Sequence, residues 1–176
     1  MLERFYPQRR LRSAYEIPYE QYLRKGFRGV IFDIDNTLVP HNAPADGRAR
    51  ELFSRLHAMG FQTCLLSNNR EPRVREFAGE VDSPYIFKAG KPKIKGFERA
   101  MEKMGTGQKD TLFVGDQLFT DVYGANRAGV YSILTDPINP REELQIVLKR
   151  FLERPLLKAY ERRERKGRRA GKTEGE

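Results

Sequence analysis

Residues 29–37 read Gly-Val-Ile-Phe-Asp-Ile-Asp-Asn-Thr, an apolar run that ends in two carboxylates. The β-branched and aromatic residues predict a buried strand, and the i, i+2 spacing puts the side chains of Asp33 and Asp35 on one side of it. Two like charges this close repel unless a cation or a shared proton compensates them. The stretch therefore suits phosphoryl transfer, in which one carboxylate attacks phosphorus and the other handles the leaving-group proton. The alternative is a strand-end turn with two solvated acids.

Three further segments place polar residues at the end of a predicted strand or soon after it. They are Ser67 after 61–66, Lys91 after 84–87, and the pair Asp116 and Asp121 after 111–115. Because the carboxyl ends of strands in an open parallel sheet face one crevice, we expect these residues to meet there. Four matches in chain order favour a catalytic site over a solvated turn.

These motifs resemble those of the haloacid dehalogenase superfamily of phosphohydrolases. In this resemblance, residues 33–37 are the first motif, Ser67 the second, Lys91 the third and the Asp116 and Asp121 pair the fourth. A closer similarity is to the YqeG-type family, whose relatives include mitochondrial and plastid phosphatidylglycerophosphate phosphatases. This similarity rests on three segments, LSNN at 66–69, GKP at 90–92 and GDQLFTDVYGANRAG at 115–129. The resemblance spans roughly residues 11–140 and implies a Mg²⁺-dependent phosphatase.

The resemblance also implies a role for most motif residues. Asp33 is the nucleophile that becomes an aspartyl-phosphate, and Asp35 serves first as general acid and then as general base. Asp33, the backbone carbonyl of Asp35, and Asp116 are the expected ligands of Mg²⁺, which prefers oxygen. Lys91 brings positive charge to the transition state. Asp121 orients either a metal-bound water or Lys91.

Other polar residues of the motifs are expected to contact the substrate phosphate, namely Ser67, Asn68 and Thr37. Ser67 has a second interpretation, since a serine before a helix is a common N-cap. Asp121 has one too, because Thr120 is a candidate N-cap and Asp121 would then only complement the helix dipole. The histidines, His41 and His57, are far apart in sequence and receive no role.

The order of predicted elements indicates a single α/β domain with a mostly parallel, Rossmann-like (haloacid dehalogenase-like) sheet in a three-layer sandwich. The predicted strands are 29–34, 61–66, 84–87, 111–115 and 130–135. The predicted helices are 46–59, 71–79, 94–104, 120–128 and 141–153. Neither the segment after Asp35 nor the one between Ser67 and Lys91 has room for a cap domain. We therefore predict a capless, open cleft that suits a phosphate carried on something large.

Charge divides the 176-residue chain into three regions. A basic aromatic N-terminal flank (1–28) has seven basic and three acidic side chains, and the C-terminal region (141–176) has twelve and seven. The phosphatase core (29–140) consequently has no net charge, although the chain carries +9. Such flanks suit an anionic membrane surface or, almost equally, a nucleic acid.

The C-terminal region is predicted to contain a helix that Pro155 interrupts near Arg154, followed by a basic tail. The apolar face of that helix either packs on the sheet or faces a membrane, and the tail beyond Lys158 is too polar to fold alone. No signal peptide or membrane-spanning run is visible, and the lone Cys64 is expected in the core. These features predict a cytoplasmic protein with peripheral contact at the inner membrane surface.

The function expected from the sequence is a Mg²⁺-dependent phosphatase with an aspartyl-phosphate intermediate. Its expected substrate is phosphatidylglycerophosphate, which it converts to phosphatidylglycerol, and the lipid is assigned by resemblance. Two alternatives stay open: a phosphatase of soluble or protein-borne phosphate esters, and an RNA- or ribosome-associated module whose site is vestigial.

Overall fold

The computed structural model describes residues 2–139, 153 and 155–163. Its strands are β1 (Arg9–Leu11), β2 (Gly29–Phe32), β3 (Gln62–Leu66), β4 (Tyr85–Ile86), β5 (Thr111–Gly115) and β6 (Tyr131–Thr135). Its α-helices are α1 (Tyr19–Arg24), α2 (Gly47–Ala58), α3 (Glu71–Glu80), α4 (Ile94–Met104) and α5 (Tyr123–Arg127). The strands form one sheet in the order β1-β6-β5-β2-β3-β4, and every neighbouring pair is parallel.

The central strand β2 is apolar throughout because helices cover both faces of the sheet. Val30 and Phe32 point to one face, where they join the core formed with α2, α3 and α1. Ile31 points to the other face, where it packs with residues of α4 and α5. The result is the predicted three-layer α/β sandwich with a parallel sheet.

The chain order around β2 creates the crevice expected at a topological switch point. From β2 the chain runs to β3 and β4 on one side of the sheet and later to β5 and β6 on the other. The loops that follow β2, β3 and β5 therefore open side by side at the carboxyl edge, where ligands bind in such sheets. Only a loop and α2 lie between β2 and β3, and only α3 lies between β3 and β4, so the cleft has no cap.

All five predicted strands are present, and the first three predicted helices match α2, α3 and α4. The predicted helix 120–128 begins instead as a π-helical turn, Leu118–Val122, before α5. The predicted helix 141–153 lies outside the described residues apart from its last residue. The first strand of the chain, β1, was missed because its three residues, Arg-Arg-Leu, show no apolar pattern.

Residues 2–28 belong to the sheet and core and do not form a separate flank. β1 pairs with β6, and Tyr19 and Tyr22 are buried among the core residues on the α2 side. Tyr19 also donates its hydroxyl hydrogen to the carbonyl of Ala14 at 2.9 Å. The aromatic residues of this region were interpreted as part of a surface for a membrane or nucleic acid, but Tyr19 and Tyr22 pack in the core.

The C-terminal region contributes a helical stretch at residues 155–163. Leu156 and Leu157 pack against a small apolar cluster that contains Leu118, Val122 and Leu134. The chain past Lys158, which was expected to be too polar to fold alone, is helical as far as residue 163, where apolar residues before it anchor the helix. The tail from residue 164 lies outside the described residues. Among those described, no helix is long and apolar enough to cross a membrane.

Candidate active site

A cleft of about 160 Å³ opens at the carboxyl edge of the sheet. Polar residues of the first three motifs line it, together with residues between Asp116 and Asp121 of the fourth. The lining residues are Asp33, Asp35, Asn36, His41, Ser67, Asn68, Asn69, Lys91, Gln117 and Thr120. Asp33 lies at its floor because its N–H donates to the carbonyl of Val114 at 2.9 Å and so continues the β2–β5 pairing. Only 7% of Asp33 is exposed.

Lys91 joins two of the motif carboxylates. Its Nζ donates to Asp33 Oδ1 at 2.5 Å and to Asp121 Oδ1 at 2.7 Å. The second carboxylate oxygen of Asp121 accepts from the N–H of Gln117 at 3.0 Å, which fixes its orientation. A Cβ at Gly115 would lie 2.5 Å from the same oxygen, so only glycine fits at this end of β5. The geometry thus places Asp121 as a holder of Lys91.

Burial and charge act against each other in this group. Burial raises the pKa of Asp33 to about 7, although the adjacent Lys91 ammonium opposes the shift. Burial also lowers the pKa of Lys91, but the carboxylates of Asp121 and Asp33 outweigh it and raise that pKa above its ordinary value. Lys91 therefore stays charged at neutral pH, whereas ionised Asp33 needs further positive charge.

A third buried carboxylate completes a candidate metal site. One oxygen each of Asp33, Asp116 and Asp121 lie within 4.8 Å of one another. Three carboxylates beside a single ammonium leave negative charge uncompensated, and all-oxygen ligands suit a hard divalent cation such as Mg²⁺. The donor set therefore fits the expected metal, with Asp121 as an additional candidate ligand.

The Asp35 carboxylate lies outside this trio and has a different set of partners. It accepts from Asn69 Nδ2 at 2.6 Å, from Arg73 Nη2 at 3.2 Å and from the N–H of Asn42 at 2.8 Å. The Nδ1 of His41 lies 3.9 Å from the same carboxylate. These contacts fix Asp35 at the cleft wall, separate from the buried Asp33.

Two of the three residues expected at the substrate phosphate have other contacts. Thr37 is buried, and its hydroxyl donates to Asp116 Oδ1 at 3.5 Å, so it supports a carboxylate rather than lining the cleft. The Asn68 side chain accepts from the N–H of Lys91 at 2.8 Å and donates to the Lys91 carbonyl at 3.3 Å. It anchors the Lys91 loop, although Asn68 still lines the cleft.

Ser67, the third residue of this group, also lines the cleft. Its own N–H donates to the carbonyl of Ile86, and its Oγ accepts from the N–H of Asn69 at 3.1 Å. The N-cap interpretation is wrong, because α3 begins only at Glu71 and its N-cap is Arg70. The Thr120 alternative is also wrong: Thr120 donates to Gln117 Oε1 inside the π-helical turn, and Asp121 is wholly buried.

Comparison with known proteins assigns the family. A sequence profile described as haloacid dehalogenase-like hydrolase matches residues 41–129, just over half of the chain. The chain belongs to this hydrolase family. The hydrolase is also 36% identical over 165 residues to "Probable phosphatase YqeG" of Bacillus subtilis, across 93% of this chain and 96% of that protein. The YqeG-type resemblance is thereby confirmed, and the hydrolase is a phosphatase enzyme.

Two further similarities bear on substrate and fold. The hydrolase is 30% identical to "Phosphatidylglycerophosphate phosphatase 1, chloroplastic/mitochondrial" of Arabidopsis thaliana, over 84% of this chain but only 45% of that protein. A crystal structure of a haloacid dehalogenase phosphatase from Thermococcus onnurineus superposes with a TM-score of 0.52. At 17% identity it covers 67% of this chain and 90% of that one, and it supports the fold.

Several residues of this hydrolase's site were not predicted from sequence. Asn69 follows two residues that were predicted at the site, yet neither it nor His41 received a role. Arg73 lies in α3 among several arginines, and nothing local distinguishes it. Glu153 is buried, and its carboxylate accepts from the N–H groups of Leu118 and Phe119, just after Asp116. Only the tertiary fold brings Arg73 and Glu153 to the cleft loops.

Proposed function

We propose that this hydrolase is a Mg²⁺-dependent phosphatase that works through a phosphoryl group on Asp33. Its proposed reaction removes the terminal phosphate of phosphatidylglycerophosphate to give phosphatidylglycerol. The observation that carries the proposal is the buried contact of Asp33 with Lys91 at the cleft floor, with Asp116 within reach of a shared metal. A nucleophilic carboxylate beside fixed positive charge is what attack on a phosphate dianion requires.

The metal site would be built from Asp33, Asp116 and the backbone carbonyl of Asp35, with Asp121 close enough to contribute. A bound Mg²⁺ would supply positive charge at the phosphate oxygens and at Asp33. The hydroxyl of Thr37 steadies Asp116 for this task. The Lys91 ammonium adds the second positive charge and is held in place by Asp121.

Asp35 would carry out both proton transfers. Asp33 forms a bond to phosphorus as the bond from phosphorus to the alcohol oxygen breaks, and protonated Asp35 gives its proton to that oxygen. Ionised Asp35 then takes a proton from water, whose oxygen attacks phosphorus and releases Asp33 with inorganic phosphate. One carboxylate thus serves both steps, and its contacts with Asn69 and Arg73 keep it in position.

Phosphate recognition would rest on the loop that follows β3, whose Asn69 contacts Asp35. Ser67 and Asn68 both line the cleft, and the N–H of Asn68 donates to no residue that the structure describes. Together with Lys91 they offer three donors to non-bridging phosphate oxygens. The side chain of Asn68 contributes indirectly, by holding the Lys91 loop.

The lipid substrate is supported by two observations. The similar Arabidopsis protein bears the name of a phosphatidylglycerophosphate phosphatase. The cleft also lacks a cap and has only about 160 Å³, which suits a phosphate presented from a larger body rather than an enclosed small molecule. This substrate would place the enzyme in phospholipid synthesis, in the cytoplasm, working at the inner membrane surface. The same open cleft leaves soluble or protein-borne phosphate esters as the second candidate.

The test is phosphate release from phosphatidylglycerophosphate in mixed micelles, beside a panel of soluble phosphate esters, with and without Mg²⁺. We expect Mg²⁺-dependent release with a strong preference for the lipid. Release confined to soluble esters would keep the chemistry and reject the lipid. If the protein releases phosphate from neither class of substrate, both phosphatase candidates are rejected and the RNA- or ribosome-associated alternative is favoured.

A further inference from the structure

Two loops form a ledge along one side of the cleft. Residues 67–70 follow β3, and residues 87–95 comprise the loop after β4 and the first two residues of α4. The backbone joins the two segments where Lys88 N–H donates to the Asn69 carbonyl at 2.9 Å. A second backbone bond runs from Ala89 N–H to the Ser67 carbonyl at 3.0 Å. Because Asn68 also holds Lys91, the ledge is fixed to the catalytic floor.

The outer surface of the ledge is strongly basic. Its exposed cations, which we call the cationic ledge, are Arg70, Lys88, Lys93 and Lys95. None of them forms an ion pair with any residue that the structure describes. Residues 83–97 contain four lysines and no acidic residue, and the fourth lysine, Lys91, points into the cleft. The nearby Glu71 accepts from the hydroxyl of Tyr85 at 3.4 Å.

Apolar side chains are exposed at two sides of the same opening. Ile94 lies between Lys93 and Lys95 and is 37% exposed. Ile138 is 42% exposed, and its N–H donates to the carbonyl of Asn36, a residue that lines the cleft. In the described part of the chain only one other large apolar side chain is exposed. Exposed apolar side chains are therefore concentrated around the cleft.

We propose that the cationic ledge, with Ile94 and Ile138, is a docking surface for an anionic lipid bilayer. Lysines at the headgroup level attract anionic lipids, and aliphatic side chains between them enter the interface. Both loops leave the carboxyl edge of the sheet, so a membrane on this surface faces the cleft directly. The proposal rests on the proposed function, since it explains how an uncapped cleft meets a lipid phosphate.

The chemistry of the ledge favours lipid over nucleic acid. Single-stranded nucleic acid binds with exposed aromatic rings on which its bases stack. The aromatic residues that precede the ledge, Tyr85 and Phe87, are instead partly buried against the core. Exposed aliphatic residues among lysines fit a bilayer interface and have no such role towards bases.

The test measures binding of the full chain to sedimented vesicles without substrate, so the result does not depend on turnover. Vesicles of phosphatidylcholine alone are compared with an equal mixture of phosphatidylcholine and phosphatidylglycerol, at low and high salt. The ledge variant is Lys88→Gln/Lys93→Gln/Lys95→Gln. Its control, Lys25→Gln/Lys103→Gln/Lys109→Gln, loses the same charge from exposed lysines near the amino ends of β2 and β5.

We expect salt-sensitive binding of the unaltered protein to anionic vesicles only. The ledge variant should bind about 100-fold more weakly, and the control should bind nearly as well as the unaltered protein. Ile94→Ser should weaken binding without changing its salt dependence. Equal losses in both triple variants, or full binding by the ledge variant, would overturn the proposal, as would ledge-dependent binding to single-stranded RNA but not to vesicles. An unchanged unfolding midpoint in each variant verifies that its fold is intact.

Discussion

At the scale of single residues, the two carboxylates that we propose as catalytic differ because their neighbours differ. Asp33 is buried beside Lys91, which suits a nucleophile that must stay ionised close to positive charge. Asp35 contacts an arginine and an amide at the cleft wall, where a group that gives and takes protons can reach water. A spacing of two residues in one stretch thus produces two environments and two tasks.

Arg73 is expected to position Asp35 for proton transfer. Its Nη2 donates to Asp35 and, at 2.6 Å, to the carbonyl of Ala43, so it ties the acid to the loop before α2. Arg73→Ala should lower kcat about 10- to 100-fold with a smaller change in KM, because Asp35 loses its fixed orientation. Arg75→Ala, an exposed position in the same helix, is the matched control for steady-state kinetics. Equal kinetics in the two variants would remove Arg73 from the mechanism.

Gly115 is expected to tolerate no side chain. A Cβ there would meet Asp121 Oδ2 at 2.5 Å and the ring of Phe113 at 2.8 Å. Gly115→Ala should therefore destabilise the protein by about 1–3 kcal/mol and disturb the Asp121 contact with Lys91. Gly79→Ala, in α3 with nothing within 4 Å of the added carbon, should stabilise it by about 0.5–1 kcal/mol. Denaturant unfolding of both variants tests this, and a neutral Gly115→Ala would contradict the packing.

At the scale of elements, sequence pattern predicted what depends on local periodicity. The apolar runs located β2 to β6, and the polar residues after them predicted that Asp33, Ser67, Lys91 and Asp116 lie at one edge. Topology rules supplied the common crevice, because the strands alternate with helices. A pattern of this kind carries no information about which side chain an amide or hydroxyl will meet.

The elements that sequence missed are those formed by tertiary contacts. β1 is three residues long and polar, and it exists because it extends the ladder of β6. Thr37 and Asn68 were predicted as phosphate ligands, and the pattern gave no sign that the side chain of Thr37 contacts Asp116 or that the side chain of Asn68 contacts the Lys91 backbone. The π-helical turn 118–122 was predicted as an ordinary helix, since its irregularity lies in the backbone next to Asp116.

The burial of β3 is tested by the reactivity of its cysteine. Cys64 is wholly buried, and burial raises the pKa of its thiol to about 12, so the thiolate is scarce at neutral or mildly alkaline pH. A disulfide reagent at pH 8 should leave Cys64 of the folded protein unmodified, because the thiolate is the reactive form. The unfolded protein should react as an ordinary free thiol does. Rapid modification under native conditions would contradict the placement of β3 inside the sheet.

At the scale of the whole molecule, segments from the N-terminal and C-terminal regions both pack against the loop after β5. Near the amino end, Phe5 stacks on Tyr123 with ring centroids 4.5 Å apart and contacts Phe119 edge-on at 5.5 Å. From the other end, Glu153 accepts from the N–H groups of Leu118 and Phe119. The loop that carries Asp116 is thus packed by segments far away in sequence.

Removal of residues 1–11 is expected to destabilise the whole domain. It deletes β1, bares the edge of β6 and takes Phe5 from the loop after β5, which together should cost at least about 2 kcal/mol and promote association. Denaturant unfolding and light scattering measure the two effects. Leu2→Ser, at an exposed position, should change stability by less than about 0.5 kcal/mol. A truncated protein as stable and monodisperse as the full chain would show that residues 1–11 are a dispensable flank.

The central claim is that Asp33 carries the phosphoryl group during turnover. It is tested by acid quenching during reaction with a labelled phosphate ester whose leaving group needs no proton, followed by peptide mapping. Asp35→Asn is used so that hydrolysis of the intermediate slows and the label accumulates. We predict hydroxylamine-sensitive label on the peptide that contains Asp33, none when Asp33→Asn is added, and undiminished label with exposed Asp82→Asn. Label that survives Asp33→Asn, or turnover that persists in it, would contradict the claim.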